Sequence, residues 1–436
     1  MTTRPTSRPG QPPARTPHRT PATARDRSRP APTVRLRDPA GVVAAVPYLL
    51  GFVPRRSLVV VGIEEDQGVG PTMRTDLPAA DLLGDGPTTV LPEAWAHVRG
   101  VLARHGCPRA LVVLYGDTEP VDLTDEAAAR LLRLLGAAPT DVTADGAADP
   151  GGPPVLDVLH VTDELDGLDV TDELDVLDVL LVGPSRFRSL LCPDRSCCPP
   201  EGSPVAATGS HPVAATFVLA GRSAAPDRDQ LEPVPPPASP ADRGAALAAA
   251  ARSTRPGPGL AREAEDRALL EEWLRCLPHG PSPDLAGRVA SRWRTSPRVR
   301  DACLAAFLPG GPALARLVLP AADGGPVDLP DDLPDGTADG TDEPLSLAAC
   351  LEDPACAAAA SAGAPALRRL AALAPAPAVA DVLAGHAWLC WVSGEGTAAG
   401  VLAGRALAVD GGQSLAALVV RCLDHGLGAP WTQPAG

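Results

Sequence analysis

The sequence predicts an α/β domain, a mixed sheet with flanking helices, followed by an all-α helical domain with a tetratricopeptide-like hairpin. Three observations carry this expectation. Continuous apolar runs such as SLVVVGI (57–63) and RALVVLY (109–115) alternate with helical patterns, as strands covered on both faces do. A proline-rich stretch, PVPPPASPAD (233–242), then interrupts the chain, and beyond it the apolar spacing is helical. The length agrees, because 436 residues with 45% hydrophobic content suffice for two cores.

Residues 1–33 are rich in Pro, Thr, Ser and Arg and nearly free of large apolar side chains. Such a stretch does not offset its ordering entropy and reads as a disordered, solvated basic tail rather than a nucleic-acid arm. The α/β domain is placed at 34–225. Asp38-Pro39 opens a helix as N-cap and first-turn proline, Gly51 stops it, and Pro47 marks a kink. The strand at 57–63 follows. A turn at Gly68 and Gly70 leads to its partner PTMRTDL (71–77), and this hairpin is what makes the sheet mixed. A helix over 92–105, a strand over 109–115, a helix over 124–135 and a strand ending in VLDVLLVG (176–183) complete the alternation. VTDELD occurs at 161–166 and again at 170–175 but lacks the glycines of a calcium-binding repeat, so it reads as a duplicated acidic insertion.

A linker is expected at 226–242 and the helical domain at 243–430, with helices over 260–277, 283–294 and 297–308 and an acidic linker near 321–344. Within 377–427, Trp388, Trp391, Gly394, Ala399, Ala406 and Asp410 follow the spacing of one tetratricopeptide-type hairpin.

Composition excludes several chemistries. The chain has no Lys, no Asn and one Ile, Ile63, the bias of a very GC-rich genome. Without Lys there is no Schiff base, no P-loop lysine and no kinase-type lysine. C-x-x-C, H-E-x-x-H and G-x-S-x-G are also missing. A net charge of −15 disfavours nucleic acid and membrane surfaces as partners. No apolar run reaches the roughly 18 residues of a membrane span, and the basic start lacks the apolar core of a secretory signal. The expectation is a cytoplasmic protein with its 10 cysteines reduced.

Two constellations stand out. Cys192, Cys197 and Cys198 lie in Pro-rich turns after an apolar strand. Zinc takes four ligands, commonly from closely spaced Cys pairs; the C-x₄-C-C spacing is close, and His211 or Cys107 would complete it. Against this, adjacent cysteines point apart in extended backbone. Structural, metal-binding and redox or nucleophilic roles stay open. The remaining cysteines, at helical apolar positions, read as core. The second constellation is the loop with Arg56 and Ser57 opposite Arg74 and Asp76, which suits either a bidentate anion site or an Arg–Asp pair beside a solvated loop.

The segments AVPYLLGFVPRRSLVVVGI (45–63), RTDLP (74–78), CPDRSCCPPEG (192–202), RVRDA (298–302) and GEGTAAGVLAGRALAVD (394–410) resemble, in order, the "domain of unknown function 4192" family of high-GC Gram-positive bacteria. The likeness runs from about Val34 to Pro430; it implies an architecture and no activity. Two functions follow from the residues. The first is a non-catalytic binding or regulatory protein with the helical half as its protein-partner surface. The second is an enzyme acting on a small anionic substrate through Arg56, Arg74 and Asp76.

Overall fold

The computed structural model describes residues 36–77, 90–137, 174–253, 259–319 and 346–432, apart from the single positions 37, 67, 118, 193 and 233. The basic tail, the first VTDELD copy and the acidic linker lie outside the described residues.

The chain opens with α1 (Pro39–Leu50), β1 (Ser57–Ile63), β2 (Val69–Asp76), α2 (Val90–Arg104), β3 (Arg109–Tyr115), α3 (Asp125–Leu134) and β4 (Asp175–Val182). Two short strands, β5 (Arg186–Ser189) and β6 (Ser203–Pro204), and α4 (Pro212–Leu219) complete this half. The sheet order is β2-β1-β3-β4-β5-β6; β3 and β4 are parallel and every other neighbouring pair is antiparallel. A hairpin and a crossover through α3 therefore share one sheet, which is the expected mixed topology.

Local chemistry sets the ends of these elements. The Asp38 carboxylate accepts from Gly41 N at 2.6 Å to cap α1, and Gly51 ends it in the left-handed conformation. Pro47 sits inside this helix without ending it. All seven residues of β1 are buried, because helices cover both sides. Leu58, Val60, Val112, Leu114, Val179 and Leu181 face α2 and α3, whereas Val59, Val113, Leu180 and Val182 face α1. Against α1 lies α4, with Tyr48 and Phe217 stacked at 5.3 Å. β5 and β6 escape a sequence reading because they have four and two residues, too few for an alternation to register.

The second half is helical: α5 (Pro240–Ser253), α6 (Gly259–Cys276), α7 (Pro283–Thr295), α8 (Pro297–Ala305), α9 (Gly311–Val318), α10 (Leu347–Glu352), α11 (Cys356–Leu373), α12 (Val379–Val392), α13 (Gly396–Val409) and α14 (Ser414–Asp424). Trp273, Trp293 and Phe307 meet edge to face at the centre of α6–α8. α12 packs against α11, α13 and α14, and Ala387, Ala399, Ala403 and Ala406 bring α12 and α13 into close contact. These two helices form a tight alanine-lined pair. Among the described residues, no helix is long and apolar enough to cross a membrane.

The segment expected to be a plain linker is partly built into the fold. Leu231 packs on the α1 side of the sheet, and Glu232 is buried against the helices. Arg405 donates to the carbonyls of Glu232 (2.5 Å) and Asp229 (2.9 Å). Proline content alone did not reveal this, because the anchors are one leucine and one acid. A second junction lies at the C-terminal end of α14. There Arg104 donates to His425 O at 2.9 Å, and the His105 ring nitrogen lies 2.9 Å from Gly426 O.

Candidate functional site

The cysteine segment begins where β5 ends. The Ser189 hydroxyl donates to the Asp178 carboxylate of β4 at 2.5 Å and accepts from Leu191 N and Cys192 N at 3.2 and 2.9 Å. This fixes the backbone of Cys192. Burial raises the Asp178 carboxyl above its ordinary value, opposed by hydrogen bonds from Ser189 and Val179 N.

Asp194 builds the following turn. Its Oδ1 accepts from the amide and hydroxyl of Ser196 at 2.8 and 2.7 Å, and these bonds hold its carboxyl below the usual range. Its carbonyl accepts from Cys197 N (3.2 Å) and Cys198 N (2.7 Å). The backbone at Cys197 and Cys198 is therefore turned, not extended, and the two sulfurs lie 3.9 Å apart. The objection that adjacent cysteines diverge fails for this reason. The three thiols, Cys192, Cys197 and Cys198, all lie within 4.8 Å of one another. Burial pushes the Cys198 thiol up to about 12.

Two of these thiols, Cys192 and Cys198, stand at one wall of a cleft of about 820 Å³ whose other wall is α3, with Asp125, Leu132 and Arg133 facing Arg188 and the two cysteines. Arg188 donates to Pro200 O at 3.3 Å, while its buried Nε finds no hydrogen-bond partner among the described residues. A second cleft of about 620 Å³ shares Ser189 and Cys192 and opens along β4.

His211 and Cys107, expected as possible fourth ligands, are not part of this group. His211 caps α4, its Nδ1 accepting from Val213 N at 3.3 Å, and its Nε2 lies 3.5 Å from Asp38. β6 and the 3-10 turn at Val205–Ser210 carry the chain to the α1 side of the sheet, away from the α3 side where the thiols lie. Cys107 is buried in the α2–sheet core near Gly62 and Gly70.

The Arg loop is brought together in part. Arg74 Nε donates to Ser57 Oγ at 2.8 Å, its guanidinium also bonds Asp76, and it lies over the Phe52 ring at 5.5 Å. Ser57 in turn donates to Arg55 O at 2.7 Å, and Arg228 reaches Asp76 at 3.4 Å. The Arg74 charge is thus matched inside the protein. Arg56 stands apart: it has φ +42° and an exposed, 3.9 Å approach to Asp117.

Sequence reasoning missed a second group of ligand-type side chains, Glu232, His386 and Cys390, with ligand atoms within 4.8 Å of one another. Spacing alone marks Cys390 only as core, and burial raises its thiol. Burial lowers His386 to about 4, and its Nε2 has no hydrogen-bond partner among the described residues. Arg368 grips the Glu232 carboxylate with bonds of 3.0 and 2.7 Å. Only the i, i+4 spacing of His386 and Cys390 was legible locally; Glu232 comes from far upstream.

No curated protein and no solved structure matches the chain significantly. A family model matches residues 39–323, which span the sheet domain and the helices through α9 and stop short of the hairpin block at 394–410. With the mixed sheet, the cysteine turn and the first helices all inside that match, the chain belongs to the family described as Domain of unknown function (DUF4192).

Proposed function

We propose that this protein is a binding or regulatory protein whose α/β half holds a thiophilic metal ion, zinc foremost, through Cys192, Cys197 and Cys198. The observation that carries the reading is the convergence of three free thiols beside an open cleft. A tetrahedron with zinc–sulfur arms of about 2.3 Å has edges of about 3.8 Å, and Cys197 and Cys198 stand 3.9 Å apart. The cleft leaves a fourth position open to an incoming ligand. A thiol pushed up to about 12 is protonated at neutral pH and makes a poor nucleophile, whereas a metal ion displaces the proton. The helical half as a partner surface and a cytoplasmic location belong to the same reading, supported by the negative charge and the free thiols.

A second reading, an enzyme on a small anionic substrate, draws on Arg133, Arg188 and Arg195 lining that same cleft. It moves the anion site from the Arg74 region, where the charge is already matched, to the α3 cleft.

The test is metal analysis of the full chain purified without added metal. The unaltered chain is expected to carry one zinc more than the Cys192→Ser/Cys197→Ser/Cys198→Ser variant, and a chelator should lower its melting temperature more. Equal zinc content in both proteins overturns the metal reading.

A further inference from the structure

The buried junction between the halves has the chemistry of a metal centre. Glu232, His386 and Cys390 are 4%, 2% and 4% exposed, and they offer one oxygen, one nitrogen and one sulfur within 4.8 Å of one another. His386 Nε2 is shielded from solvent yet has no hydrogen-bond partner among the described residues. Buried polar atoms are almost always paired, so an orphan ring nitrogen on a histidine grouped with two other ligand-type side chains calls for an explanation, and a bound ion is one.

We propose that Glu232, His386 and Cys390, with a water as fourth ligand, bind a zinc ion that fastens the segment joining the two halves to α12. Zinc is the ion that accepts mixed thiolate, imidazole and carboxylate ligands without a demanding geometry. Arg368 does not occupy the carboxylate fully. A carboxylate has about four lone-pair positions, and Arg368 uses one on each oxygen. It thereby serves as the outer partner that orients a ligating carboxylate. Zn²⁺ with the Cys390 thiolate, the Glu232 carboxylate and the Arg368 guanidinium leaves the group with one net positive charge, against two for the bare ion. The helix brings His386 and Cys390 to one face at i, i+4, and Glu232 closes the centre from the crossing segment, whose neighbour Leu231 is packed into the other half.

The experiment uses the full-length chain carrying Cys192→Ser, Cys197→Ser and Cys198→Ser, so that this centre is read alone. The protein is stripped with a strong chelator and reloaded with zinc or with cobalt(II). One equivalent of zinc and a thiolate-to-cobalt charge-transfer band are expected, with a rise in melting temperature on reloading. Adding Cys390→Ser should abolish the band, and His386→Ala should lower zinc occupancy at least tenfold. Should either combined variant fail to fold, Cys390→Ser alone in the otherwise unaltered chain should lose one zinc. Reloaded protein with neither zinc nor the band overturns the proposal and points to a buried water instead; a band that survives Cys390→Ser overturns it too, because another thiol then holds the metal. The cysteine-turn reading is judged separately, by the zinc lost on making the triple-serine variant.

Discussion

At the scale of single residues, environment rather than identity separates the polar groups. Asp178 and Asp194 are both aspartates near the cysteine turn, yet burial raises the first and hydrogen bonds from Ser196 lower the second. The folded chain holds the Asp178 proton more tightly than the unfolded chain does. The stability Asp178 contributes is therefore full below the ordinary carboxylate range and is lost as pH rises through its raised folded value. An asparagine keeps an Oδ1 acceptor for Ser189 and Val179 and never ionises. Asp178→Asn should melt higher than the unaltered protein at neutral pH, with the gap closing at acid pH. Melting curves across pH check this, and a gap independent of pH would refute it. None of this was legible in sequence, where Asp178 is one acid in an acidic stretch.

At the scale of elements, close approach in the helical half depends on small residues. Gly287 on α7 faces the backbone of α5, and a Cβ there would stand 2.0 Å from Ala246 O. Neither backbone can yield without separating the helices. Gly287→Ala should destabilise by about 3 kcal/mol, the upper end of typical overpacking penalties, with the loss read by chemical denaturation. An effect below about 0.5 kcal/mol, the scale of neutral surface changes, would mean that α5 is free to move. The sequence places α7 and α8 to within a few residues because Pro at the first turn and Ser caps are local signals. It does not mark α5, whose alanines look the same as the composition of the whole chain.

At the scale of the molecule, the two halves are joined at Glu232 and at His425–Gly426, so the crossing segment is anchored up to Glu232 and begins α5 at Pro240. A broad-specificity protease should cut the native protein between Val234 and Ser239, where Val234 is exposed. Arg368→Ala removes the guanidinium that pairs with the buried Glu232 carboxylate. Fully buried pairs lose about 3–5 kcal/mol on such a change, and the partial exposure of Arg368 reduces the expected loss to about 2 kcal/mol. The same change should extend cleavage toward residues 226–232. Sequencing the fragment ends decides it; cuts upstream of Glu232 in the unaltered protein would show that the anchor does not hold.

By itself, the sequence determined the order and type of the main elements: the α1 cap at Asp38, the buried run of β1, its hairpin with β2, and the helices α6–α8. Each of these depends on residues no more than a few positions apart, so composition and spacing suffice. Tertiary structure alone decided the strand order, the short β5 and β6, the side of the sheet on which His211 lies, and the meeting of Glu232 with His386 and Cys390. Those outcomes depend on where distant segments come to rest. The cysteine turn lies between the two cases. Its residues were visible as a cluster, but their convergence required the Asp194 carbonyl to fold the backbone, bringing Cys197 and Cys198 together where an extended chain would have parted them.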